Sequence, residues 1–142
     1  MKTEIVYCLG LLYIDNHPVD IKMDNIMKKM RMSQSKGKLL FYIDLDIEGQ
    51  IKNYYTNNNF LSVYKLNYIE NNFNEVISKE CEQVIKFTQR DLEIDPVGFK
   101  EYIEKYHPYM WKQIKNNWEE IYKNAVVDVN VNTKIRRIGT VK

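Results

Sequence analysis

The chain has two histidines, and each stands directly before a proline: His17 before Pro18 and His107 before Pro108. A histidine acting as general base must be held within hydrogen-bond reach of the proton it takes. X-Pro steps instead mark turns and element ends, so both histidines are expected as turn or capping residues. Zinc would need three or four ligands at recognisable spacing, and no His/Cys cluster offers them. The two cysteines, Cys8 and Cys81, form no CxxC pair. Cys8 falls in an apolar strand-like run and Cys81 in a helix-like one, so burial as small hydrophobes suits both. A disulfide between them is the alternative, since sequence does not supply their separation. The segment DLDIEG, Asp44–Gly49, opens like a calcium loop. The twelfth position of such a loop is a bidentate glutamate; here it is Tyr55. The same residues alternate as a strand with a polar face. With no phosphate loop, no dinucleotide glycine pattern and no defensible carboxylate pair, a noncatalytic protein without cofactor or metal is expected.

The stretch HPYMWKQIKNNWEEIY, His107–Tyr122, sets Trp111 and Trp118 seven residues apart. Seven residues is close to two helical turns, which puts both indoles on one side of one helix. They are expected as core anchors, with Trp118→Ala costing about 3–5 kcal/mol. The alternative is a small-ligand pocket lined by Tyr102, Tyr106, Trp111 and Trp118.

The elements that must position these residues follow from periodicity. Glu4–Ile14 is rich in β-branched and aromatic residues and ends at the turn cluster DNHP, which reads as a strand. Asp20–Arg31 is ambiguous: Met23, Ile26, Met27 and Met30 fit a helical stripe, whereas KKMRMSQ, residues 28–34, reads as a strand. Leu39, Phe41, Ile43, Leu45 and Ile47 alternate with Tyr42, Asp44, Asp46 and Glu48, so this strand has one covered and one wet face. Gly37 between the two predicts an antiparallel hairpin. A long helix is expected over about Leu61–Leu92, with Leu66, Ile69, Phe73, Val76, Ile77, Val84 and Phe87 toward the core. Asp95 is expected to cap the next helix, with Pro96 in its first position and Phe99, Tyr102, Ile103 and Tyr106 on one face. Pro108 opens a third helix with Trp111, Ile114, Trp118, Ile121 and Tyr122 on one stripe. A closing strand points Val127, Val129, Val131 and Ile135 inward. The expected fold is α+β: an antiparallel sheet of about four strands, with the long helix and two shorter ones on one face and the C-terminal strand returning to the sheet.

At 142 residues, with 44% hydrophobic and 28% charged composition, the chain is expected to form one globular domain over residues 1–142. A net charge of +2 with interleaved signs is too weak a field for nucleic acid. The eleven tyrosines lack the basic groove that would make them base-stacking platforms. The densest basic spot, Lys134–Gly139, is expected as a solvated strand face. No run of eighteen apolar residues suggests a membrane span. Glu4 interrupts the apolar N-terminal stretch, which is therefore expected to be a strand in a soluble chain rather than a lipoprotein signal.

The C-terminal half carries several motifs in order: Gln89 near the end of the long helix, then Asp95, Gly98 and Phe99. Pro108, Trp111 and Lys112, a second tryptophan at Trp118, the alternating Val127–Val131 strand and Gly139 follow. In this it resembles the end of the spore germination Ger(x)C proteins, the C subunits of nutrient germinant receptors in endospore-forming bacteria. The hairpin KMRMSQSKGKLLFYIDLDIEGQI is similar as well, so the resemblance runs over about Lys28–Lys142. The order Val97-Gly98-Phe99 departs from the family's usual Phe-Gly placement.

The resemblance implies the third, C-terminal domain of a secreted lipoprotein that sits with A and B membrane subunits at the outer face of the spore inner membrane. Cys8 does not match the lipidated position. It also implies a noncatalytic role in receptor assembly or coupling during nutrient-triggered germination, with Asp95, Gly98, Phe99, Pro108, Trp111, Trp118 and Gly139 as structural motif positions. The working surface is expected on the polar sheet face and the helix tips.

Overall fold

The computed structural model describes residues 12–14, 17–54 and 63–138. Alternation of apolar and polar side chains builds three long strands. They are β2 (His17–Ser35), β3 (Lys38–Tyr54) and β4 (Val126–Ile138), with the three-residue β1 (Leu12–Ile14) at one edge. Between β3 and β4 come α1 (Val63–Phe87), a π-helical turn (Thr88–Leu92), α2 (Phe99–Tyr106) and α3 (Pro108–Ile114). A 3-10 turn (Lys115–Asn117) and α4 (Trp118–Asn124) complete the helical segment. The fold is α+β, as expected, in spatial order β1-β2-β3-β4.

The sheet is mixed rather than wholly antiparallel. β2 and β3 form the expected hairpin, closing Ser35 onto Lys38 through Lys36 (φ 52) and Gly37 (φ 76). Two successive positive φ values match the right-handed twist of the strands, and glycine tolerates the second without steric cost. β4, however, pairs parallel to β3, from Leu40 opposite Val126 to Ile51 opposite Ile138. The intervening helices return the chain to the start of β3, and a connection of that length permits a parallel neighbour.

β2 is also longer than its sequence suggests. The helix-like step from Met23 to Ile26 comes from an irregularity between Met23 and Asn25, where one extra residue enters the strand. Ile21, Met23, Ile26, Met30 and Met32 all turn half-buried toward the core. A bulge of this kind shifts a two-residue period to a three-residue step. Across from it, Gly49 is buried, and a Cβ there would lie 2.9 Å from the Lys22 carbonyl oxygen. That close approach of two backbones calls for glycine.

The core lies between the inner sheet face and the helices. Leu39, Phe41, Ile43, Leu45 and Ile47 are all buried, and Val129, Val131 and Thr133 extend the layer across β4. Helix α1 covers it with Ile69, Phe73, Ile77, Cys81 and Ile85. Val76 and Phe87, which the spacing assigns to this stripe, are instead 36% and 51% exposed. The buried positions Ile69, Phe73, Ile77, Cys81 and Ile85 recur every four residues, and Val76, three beyond Phe73, and Phe87, two beyond Ile85, fall off that line. The third helix is two: the Asn116–Asn117 pair, weak helix formers, sits in the 3-10 turn that separates α3 from α4. The helical layer therefore has three short helices rather than two.

Candidate functional site

The outer sheet face is polar and exposed. Arg31 on β2 donates through Nε and Nη2 to Oδ2 of Asp44 on β3, each at 3.2 Å, and its guanidinium lies 5.3 Å from the Tyr42 ring centre. Asn130 and Asn132 of β4 reach Asp44 and Asp46 at 3.5 Å, and Arg136 meets Glu48 at 3.3 Å. The DLDIEG carboxylates thus project from a continuous strand toward neighbouring strands. Among the described residues, no group of three or more His, Cys, Asp or Glu side chains could hold a metal ion.

The second feature is the junction of the π turn, α4 and β4, where Gln89 is buried. Its amide nitrogen donates to the carbonyl oxygens of Tyr122 at 2.8 Å and Ala125 at 3.0 Å. Thr88 Oγ1 donates to Ile85 O at 2.7 Å and lies 3.4 Å from the Tyr122 hydroxyl, which donates to Ile94 O at 2.8 Å. Burial pushes the Tyr122 phenol above its ordinary pKa; the Thr88 contact opposes this and the nearby Asp95 charge adds to it. Seven residues back along α1, Glu82 Oε1 accepts the Val129 backbone N–H at 3.2 Å, occupying a donor of the edge strand. These contacts fix α1 antiparallel to β4. In the sequence, Gln89 stood out only as a motif position, and no periodicity signals a buried amide serving two carbonyls.

The motif residues take distinct places. Asp95 accepts the N–H groups of Gly98 (2.9 Å), Phe99 (3.0 Å) and Lys100 (2.8 Å). It caps the helix from farther upstream than expected, because α2 starts at Phe99 behind a left-handed Gly98 and Pro96 precedes the first turn. Phe99 is fully buried, 4.4 Å from Phe41 and 5.9 Å from Tyr122 between ring centres. Pro108 opens α3, and His107 is the boundary residue between α2 and α3. Trp111 and Trp118 lie on different helices yet meet edge to face at 5.7 Å, and both are only partly buried. Gly139 and Cys8 lie outside the described residues; Cys81 is a core residue.

Two recesses flank the junction. The smaller, about 300 Å³, is lined by Trp118, Tyr122, Ile94 and acidic residues including Glu93 and Glu119. The larger, about 970 Å³, lies between the end of α1, the end of α4 and the first residues of β3 and β4. Tyr102, Tyr106 and Trp111 line neither, so the four aromatics considered as a pocket do not gather around either recess.

Over residues 10–139 the chain matches the family described as spore germination B3/GerAC like, C-terminal. It belongs to that family. It is similar to the spore germination protein YndF of Bacillus subtilis strain 168, with 32% identity over 108 residues, covering 75% of this chain and 27% of the relative. It is also similar to spore germination protein B3 of the same organism, with 27% identity over 126 residues, covering 88% of this chain and 34% of the relative. The match thus spans about a quarter to a third of these curated relatives. A crystal structure of the GerBC protein superposes with a TM-score of 0.80 at 24% identity, over 89% of this chain and 40% of that one. This likeness supports the fold. Among the described residues no helix is long and apolar enough to cross a membrane.

Proposed function

We propose that this chain acts as a single noncatalytic interaction domain of a germinant-receptor C subunit, assembling or coupling the receptor during nutrient-triggered spore germination. Its partners on this reading are the A and B membrane subunits, met at the outer face of the spore inner membrane. The observation that carries the proposal is the outer sheet face, with its charge-paired rows on β2, β3 and β4 lying over the buried core layer. Exposed ion pairs add little to folding stability, whereas charge arranged in rows gives a partner register and an association rate. Family membership over residues 10–139 supplies the setting.

The direct test is capture of the membrane subunits by this chain, compared with a variant whose outer face is reversed by Asp46→Lys and Glu48→Lys. Capture by the parent and loss in the variant are expected. Full receptor assembly and normal germination after deletion of this domain from its subunit would reject the reading.

A further inference from the structure

The larger recess at the end of α1 has a chemistry the outer sheet face lacks. Four cations from three parts of the fold stand around it: Lys38 at the start of β3, Lys86 and Arg90 at the end of α1 and its π turn, and Lys123 in the last turn of α4. Among the described residues, none of the four takes part in an ion pair. Two carboxylates share the recess, Glu82 and Asp128. Glu82 is already committed to the Val129 N–H.

Three of these cations sit near helix ends, where negative carbonyl dipoles offset positive charge. Here, however, Gln89 donates to the Tyr122 and Ala125 carbonyls, and Ile94 N–H donates to Thr88 O. Those acceptors already hold protein donors, and the four cations outnumber the two carboxylates of the recess, which therefore keeps a net positive charge. The lining also has apolar members, among them Leu40 and its register partner Val126, which is 47% exposed.

We infer that this recess docks an acidic segment of a partner protein, its carboxylates on the lysines and arginine and an apolar side chain against Leu40 and Val126. A volume of about 970 Å³ stands at the upper end of ligand clefts, roughly 300–1,000 Å³, with room for several side chains. A recess favours a peptide over a bilayer, which binds an apolar face laid along the interface plane. The inference rests on the assembly reading only for the source of the segment.

The test uses this chain and a fluorescein-labelled peptide of glutamates and aspartates around two leucines, read by anisotropy. The same peptide with glutamine and asparagine, and vesicles of phosphatidylglycerol, serve as the other arms. The acidic peptide is expected to bind, more weakly as salt rises, and the neutral peptide to stay free. Lys86→Glu with Arg90→Glu is expected to weaken binding by about tenfold or more. Lys86→Gln with Arg90→Gln, the milder pair, should give a smaller loss in the same direction while the urea unfolding midpoint stays near the parent. The outer-face pair Asp46→Lys and Glu48→Lys should leave peptide affinity unchanged. Equal binding of the neutral peptide, no binding at all, indifference to the Lys86 and Arg90 variants, or binding of the vesicles alone that depends on these two residues would each overturn the proposal. Capture of the membrane subunits that survives Lys86→Glu with Arg90→Glu but not outer-face reversal sinks the recess alone. Peptide binding that depends on Lys86 and Arg90, with normal assembly after domain deletion, sinks the assembly reading instead.

Discussion

Replacing Gln89 tests whether the π turn is clamped to the α4–β4 junction by one buried amide. The nitrogen makes two bonds to carbonyl oxygens, at 2.8 and 3.0 Å, from a side chain that is 4% exposed. In Gln89→Ala both are lost and the buried stem leaves a small cavity. Two net hydrogen bonds at about 1 kcal/mol each, with acceptors left dry, give a cost of about 2–4 kcal/mol. For a chain of this size that is a fall of roughly 6–15 °C in melting temperature. Gln89→Glu is the sharper variant, because it keeps the shape and removes the donors. At neutral pH it aims a carboxylate at two carbonyl oxygens, so the folded state raises its pKa above the unfolded value of about 4.3. The folded chain then binds the proton more tightly than the unfolded one, and stability is regained as pH falls through the raised pKa. The protonated acid also restores one donor. Urea unfolding followed by tryptophan fluorescence at about pH 7.5 and pH 5 reads both effects. Gln89→Ala should be destabilised equally at the two pH values relative to the parent, and Gln89→Glu less so at the lower one. An alanine variant within about 0.5 kcal/mol of the parent, or a glutamate variant with no pH dependence of its deficit, would refute the clamp.

Phe99→Ala should cost about 3–5 kcal/mol, because the ring is fully buried against Phe41 and Tyr122. Trp118→Ala should cost less, about 1–3 kcal/mol, since that indole is only partly buried; chemical denaturation of the two variants side by side checks the order. Asp95→Ala removes the acceptor of three N–H groups ahead of α2 and should cost about 1–2 kcal/mol, seen as faster amide exchange over residues 98–100. Gly49→Ala forces a methyl group to 2.9 Å from the Lys22 carbonyl oxygen and should destabilise by about 1–3 kcal/mol, read as a lower urea midpoint. The Tyr122 phenol has a raised pKa through burial, so above about pH 10 the unfolded chain loses a proton that the folded chain keeps, and stability falls. In Tyr122→Phe that alkaline loss is absent, and the gap between variant and parent in urea unfolding should narrow above pH 10.

What the sequence determined by itself is the identity of elements whose period is local. Alternation from Leu39 to Ile47 specified a strand with one dry face, and all five apolar residues are buried. The apolar repeat of α1 and the turn at Gly37 were legible for the same reason, since each depends on residues a few positions apart. The tertiary structure decided where distant segments meet. Whether β4 ran parallel or antiparallel to β3 depended on the path of the helices between them, which no strand pattern encodes. The extra residue near Met23 imitated a helical step because an irregularity and a helix both produce a three-residue spacing, and only the partner strand tells them apart. The two tryptophans met across a helix break rather than along one helix. Gln89 gained its partners 33 and 36 residues away, and the four recess cations converge from segments far apart in the chain. The outer-face carboxylates Asp44, Asp46 and Glu48 were legible from the same alternation, whereas the Gln89 junction and the recess were not: they are built from side chains brought together by packing, and packing is a property of the folded chain as a whole.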